Sequence, residues 1–105
     1  MTVATVEVSA ESGLLRISLS GEIDLANAAA VEQEIFAAVA DQLTSVSVNL
    51  TDLIYMDSVG LRILFDLASQ LKESGIALEL VAPLYSPARQ LIDISGFESL
   101  ATLRE

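Results

Sequence analysis

The residue best placed to carry chemistry is Ser58, in the run Asp57-Ser58-Val59-Gly60 that opens a helical pattern after a strand-like one. A hydroxyl on the first turn of a helix faces backbone N–H groups without intrahelical partners and a partial positive charge, so a phosphate ester there is stabilised locally. Asp57 or Ser58 is also suited to a plainer task, capping the helix by accepting a hydrogen bond from its first N–H groups. A hydrolase reading of the serine fails on the sequence itself. A nucleophile elbow needs glycines two before and two after the serine, and a histidine base. Gly60 is present, but Met56 stands where the first glycine belongs and the chain has no histidine. A Ser-Lys pair fails on distance, because the single lysine, Lys72, lies about 20 Å along the helix at about 1.5 Å per residue.

Asp57 raises an alternative, a magnesium-dependent aspartyl phosphoacceptor. Receiver domains, which also put an aspartate after a central strand, need in addition an acidic pair after the first strand and a lysine after the last. Here Glu11-Ser12-Gly13 reads as a hairpin turn and no lysine follows the strand pattern at 76–81. Glu22 and Asp24, in Gly21-Glu22-Ile23-Asp24, are two further carboxylates; with no second convergent site for a sugar or peptide they read as charges offered to a partner. The absence of cysteine and histidine removes thiolate and imidazole chemistry together with thiolate metal sites. No glycine-rich phosphate-binding segment occurs, so no catalytic residue, metal or cofactor is expected. Fifteen acidic residues against five basic give a formal net charge of −10. That field opposes direct binding to nucleic acid or to a membrane surface and favours a protein partner with a basic face, or serves solubility alone.

Elements that position these residues follow from the apolar periods. Val6 and Val8 alternate with polar residues, as do Leu15, Ile17 and Leu19, and the turn between them predicts an N-terminal β-hairpin. Val31, Ile35 and Val39 recur four apart and predict a helix over 27–42, with Asn27 as its cap and Glu32 and Glu34 near its positive end. Val46, Val48 and Leu50 predict a strand running toward Thr51-Asp52, followed by the apolar run Leu53-Ile54-Tyr55-Met56. From Ser58 a helix to about residue 73 buries Leu64, Leu67, Ala68 and Leu71 and presents Arg62, Asp66, Ser69 and Glu73 to solvent; Gly75 ends it. A strand at 76–81, a helix begun by Ser86-Pro87 and stopped by Gly96, and a short last element with Phe97, Leu100 and Leu103 complete the chain.

This order is that of an α/β fold, one sheet with crossover helices, read as one domain over residues 1–105. Loops at strand C-termini gather at one end, so those carrying Glu22 and Asp24, and Asp57 and Ser58, are expected to form one surface. Tyr55 and Val59 are expected in the core. No apolar run approaches the roughly 20 residues that span a bilayer, and the first residues show neither secretory nor transit signal, so the cytoplasm is the expected compartment.

Taken together, Gly21-Glu22-Ile23-Asp24, the strand Val46–Leu50, the run Leu53 to Leu61 through Asp57-Ser58-Val59-Gly60, the block Gly75 to Val81, and Ile94-Ser95-Gly96-Phe97 resemble the STAS family. Within it they resemble the stand-alone bacterial anti-sigma factor antagonists. The resemblance implies a mixed sheet with helices packed mainly on one side. It implies a partner switch: the unmodified protein binds an anti-sigma factor with a histidine-kinase-like ATPase fold, which is also a serine kinase, and a serine phosphatase reverses the modification. The family's phosphoacceptor falls on Ser58, and its partner-contacting residues on Glu22, Asp24, Asp57, Ser58, Val59, Gly60 and Arg62. The family commonly has a second hydroxyl after the acceptor, and Val59 has none. Related proteins act as scaffolds of stress-signalling complexes or as accessory subunits of lipid-transport ABC systems, which is the alternative within binding modules.

Overall fold

Ser12 and Gly13 have positive φ, 51° and 83°, the backbone that a two-residue hairpin turn between right-twisted strands requires. They join β1 (Ala4–Glu11) to β2 (Leu14–Ile23) in an antiparallel pair with Val6 opposite Leu19 and Val8 opposite Ile17. There follow α1 (Ala28–Ala38), β3 (Ser45–Met56), α2 (Ser58–Glu73), β4 (Ala77–Val81), α3 (Pro87–Ile94), a 3₁₀ turn (Phe97–Ser99) and β5 (Thr102–Arg104). The computed structural model describes residues 3–40 and 42–105.

The sheet order is β1-β2-β3-β4-β5, and every pair after the first is parallel. Each crossover therefore steps to the next strand in the same direction. Because such crossovers share one hand, all the helices arrive on one face. Burial agrees with this. Leu15, Ile17 and Leu19 of β2, Val46, Val48 and Leu50 of β3, and Leu78 and Leu80 of β4 are buried, together with Val31 and Ile35 of α1, Leu64, Leu67 and Leu71 of α2, and Ile92 of α3. The other face is bare and polar, with Glu7, Ser9, Arg16, Ser18, Asn49 and Thr51 in solvent. No polar residue is buried among those described. The mixed sheet with helices on one side is thus the observed architecture.

Two irregularities in the pairing of β2 with β3 set which side chains of β3 face the core. Ser18 is level with Asn49 but Ser20 with Asp52, and Gly21 is level with Leu53 but Glu22 with Tyr55. At each shift β3 carries one more residue than β2, which reverses the alternation of its side chains. The core positions along β3 accordingly become Val48, Leu50, Leu53 and Met56, spaced by two, three and three. The strand-like alternation and the apolar run after it are one continuous strand.

Three expectations are corrected. The first helix ends at Ala38, because Val39 turns to extended backbone as the chain heads back toward β3; residue 41 of the expected span lies outside the described residues. Glu32 and Glu34 fall beyond the first turn of α1, past the reach of its unpaired N–H groups. The last element is a 3₁₀ turn and a fifth strand. Phe97 is buried with its ring 4.4 Å, centroid to centroid, from that of Phe65 on α2, and Arg104 of β5 reaches Glu79 of β4 at 3.1 Å.

Candidate partner-binding surface around Ser58

Since β2, β3 and β4 run parallel, the loops that leave them open at the same end of the sheet. The Asp57 backbone N–H donates to the Ile23 carbonyl at 3.3 Å, which ties the loop after β3 to the end of β2. Close approach at this joint depends on Gly60. A Cβ built there would lie 2.3 Å from Met56 Cγ and 3.3 Å from Ile23 Cγ2, so only glycine lets the first turn of α2 sit on the ends of both strands.

Asp57 is the N-cap of α2. Its Oδ1 accepts from the backbone N–H groups of Val59 at 3.0 Å and Gly60 at 3.3 Å. Ser58 is the first residue of the helix and exposed, and its hydroxyl makes no hydrogen bond among the described residues. This changes the expectation for a phosphate on Ser58. The N–H groups of Val59 and Gly60 are already held by a carboxylate, which leaves a phosphate there only the N–H of Ser58 itself.

The loop after β2 is wound about Asp24 and Asn27. Asp24 N–H donates to Asn27 Oδ1 at 3.1 Å, Ala26 N–H donates to Asp24 Oδ1 at 2.8 Å, and Asn27 Nδ2 donates to the Glu22 carbonyl at 2.9 Å. Asn27 occupies the N-cap position of α1 but makes no side-chain cap bond to it. The expected cap is a loop clasp instead, because both ends of its amide are drawn back onto Glu22 and Asp24.

Asp24 and Asp57 come together with Leu25, Ala26 and Tyr55 around a depression of about 500 Å³. Val59 and Arg62 line an adjoining groove between α1 and α2. Glu22 is exposed, level with Tyr55 across β2 and β3. Gly60 is buried beneath this surface, against Met56 and Ile23. Tyr55, expected in the core, is 47% exposed; the two shifts in β3 cancel before it and leave it on the outward parity set by Val46, Val48 and Leu50. Val59 is half-buried. Leu25, 79% exposed in the turn before α1, is not singled out by the apolar periods, because it belongs to neither the β2 alternation nor the Val31–Ile35 stripe. Among the described residues no three Asp, Glu, His or Cys side chains gather as a group that could hold a metal ion.

The family model for the STAS domain matches residues 5–105. The chain belongs to the STAS domain family. This STAS domain is 39% identical over 70 residues to the anti-sigma-F factor antagonist RsfB of Mycobacterium tuberculosis, an alignment covering 67% of the chain and 57% of RsfB. It thus spans little more than half the length of that relative. It is 36% identical over 89 residues to BtrV of Bordetella bronchiseptica, covering 84% of the chain and 75% of BtrV. Among solved structures it is similar to an anti-sigma factor antagonist from Mycobacterium paratuberculosis, at 31% identity and a TM-score of 0.85 over 97% of the chain and 86% of that one. The likeness read from the short sequence blocks therefore extends over nearly the whole STAS domain. Among the described residues no helix is long and apolar enough to cross a membrane.

Proposed function

We propose that this STAS domain is an anti-sigma factor antagonist that binds its partner through the loop end of the sheet and is switched off by phosphorylation of Ser58. The observation that carries the proposal is the placement of Ser58: an exposed hydroxyl with no hydrogen bond among the described residues, at the first position of α2. Beside it lies the depression lined by Asp24, Tyr55 and Asp57. An acceptor hydroxyl must be free to enter another protein's active site, and this one is.

The partner is an anti-sigma factor with a histidine-kinase-like ATPase fold that acts as serine kinase, and a serine phosphatase resets the switch. The protein itself catalyses nothing and works in the cytoplasm. Glu22, Asp24 and Asp57 supply negative charge for a basic face, and Leu25 and Tyr55 supply apolar area. A phosphate adds about −1.5 to −2 charge to that surface. Because Asp57 holds the N–H groups of Val59 and Gly60, the phosphate stays at the surface, where repulsion and desolvation act on the partner and the fold is spared.

Mixing the protein with the serine-kinase-type anti-sigma factors of its organism and ATP, and reading the intact mass, tests this. One phosphate gained by the wild type and none by Ser58→Ala is the expected result. No transfer from any candidate sinks the switch and leaves a scaffold or transport-accessory role for the same surface.

A further inference from the structure

We propose that the groove between α1 and α2 is a second anchor point, which takes one aliphatic side chain from a basic segment of the partner. The proposal rests on reading this end of the molecule as a partner-binding face, but not on the partner being an anti-sigma factor. The groove has a volume of about 310 Å³, walled by Leu25, Ala28, Ala29, Val59 and Ile63. Ala28 and Ala29 leave at the start of α1 the space that larger side chains would fill.

Of its charged lining residues, Arg62 and Asp66 of α2 are exposed and Glu32 of α1 is half-buried, which puts their charge toward the solvent-side rim. A small-molecule site needs polar groups converging inside the pocket to orient the ligand. Apolar walls under a charged rim fit instead a leucine or isoleucine with charged neighbours, laid in as a helix or extended segment.

The sign of those neighbours is set by the rim. Glu32, Arg62 and Asp66 make no ion pair among the described residues, so two carboxylates and one guanidinium are open to an occupant. Asp24 and Asp57 add negative charge next door. Complementarity then asks for Lys or Arg on either side of the aliphatic residue. The groove is also continuous with the surface around Ser58, because Leu25 lines both the groove and the depression beside it. Arg62 lies one helical turn after Ser58 on the same face of α2.

Ala29 is exposed, so Ala29→Leu fills the groove from a surface position with a residue that favours helix. Thermal melting checks that the variant folds. Calorimetry with the serine-kinase-type anti-sigma factors of the organism should show binding by the wild type and a loss of about tenfold or more in Ala29→Leu. Glu32→Lys should weaken the same association. If one of them binds wild type and Ala29→Leu alike, the groove proposal is overturned and the anti-sigma reading stands. If none binds the wild type, that reading fails and a short amphipathic leucine-lysine peptide decides on the groove. Saturable NMR shifts at residues 25–32 and 59–66 that vanish in Ala29→Leu support it; their absence from the wild type overturns it.

Discussion

Asp57 Oδ1 lies 3.0 Å from the backbone nitrogen of Val59, so the residue before the candidate phosphoacceptor already occupies the anion-binding end of α2. With the second bond, from Gly60 N–H at 3.3 Å, and that of Leu61 N–H to the Asp57 carbonyl at 3.1 Å, three of the four N–H groups of this turn are held by Asp57, and that of Ser58 is not. Of the two tasks that the sequence offers these neighbours, capping falls to Asp57, and the Ser58 hydroxyl is left without a hydrogen bond among the described residues.

Replacing Asp57 by alanine should therefore cost about 1 kcal/mol of stability, the usual worth of a cap. It should also change what phosphorylation does to the fold. In the wild type, phosphorylating Ser58 is expected to leave Tm nearly unchanged. In Asp57→Ala the phosphate inherits the vacated N–H groups and should stabilise by about 0.5–1 kcal/mol. Calorimetric melts of the four forms check this, and equal shifts in both backgrounds would refute the division of labour.

The phosphate's nearest charged partner on its own helix is Arg62, four residues on. Arg62→Ala should lower the stability of the phosphorylated form more than that of the unmodified one, by about 0.5 kcal/mol. A difference that persists unchanged in molar salt would speak against an ion pair, since exposed pairs are screened there.

Gly60→Ala should destabilise by about 1–3 kcal/mol through overpacking against Met56, whose Cγ would lie 2.3 Å from the new Cβ. Shortening Met56 relieves the clash, so a double-mutant cycle with Met56→Ala should show a favourable coupling above about 0.5 kcal/mol. Additive costs measured by denaturant titration would show that the two positions do not touch.

Asn27→Ala removes both side-chain bonds that clasp the Glu22–Asp24 loop. The expected cost is about 1–2 kcal/mol, with faster amide exchange at Asp24. Partner binding, read by calorimetry, should weaken although Asn27 itself carries no charge. Undiminished affinity together with a loosened loop would mean that Glu22 and Asp24 are not contact residues.

Much of this protein was legible in its sequence because local periods and turn chemistry agree with the final fold. The two-residue spacing of Leu15, Ile17 and Leu19 survives as the core face of β2. The stripe Leu64, Leu67, Ala68 and Leu71 faces the core, while Arg62, Asp66, Ser69 and Glu73 lie in solvent. Ser86 caps α3, accepting from Arg89 N–H at 3.2 Å, and Pro87 opens it. That Ser58 lies at a helix start was equally readable, since it depends on the residues on either side of it and on nothing distant.

What the sequence determined, then, is the order of elements and the position of the Ser58 hydroxyl at a helix start. Only the tertiary structure decided which residues surround that hydroxyl. Leu53 enters the core and Ile54 is 69% exposed because β3 gains a residue relative to β2 after Asn49, a property of the pairing of two strands that no single strand's alternation reveals. Asn27 turns from helix cap to loop clasp because the Glu22 carbonyl and Asp24 N–H come within reach of its amide. The groove of Leu25, Ala29 and Val59 exists because the crossovers lay α1 and α2 on the same face of the sheet, bringing together residues about thirty positions apart in the chain.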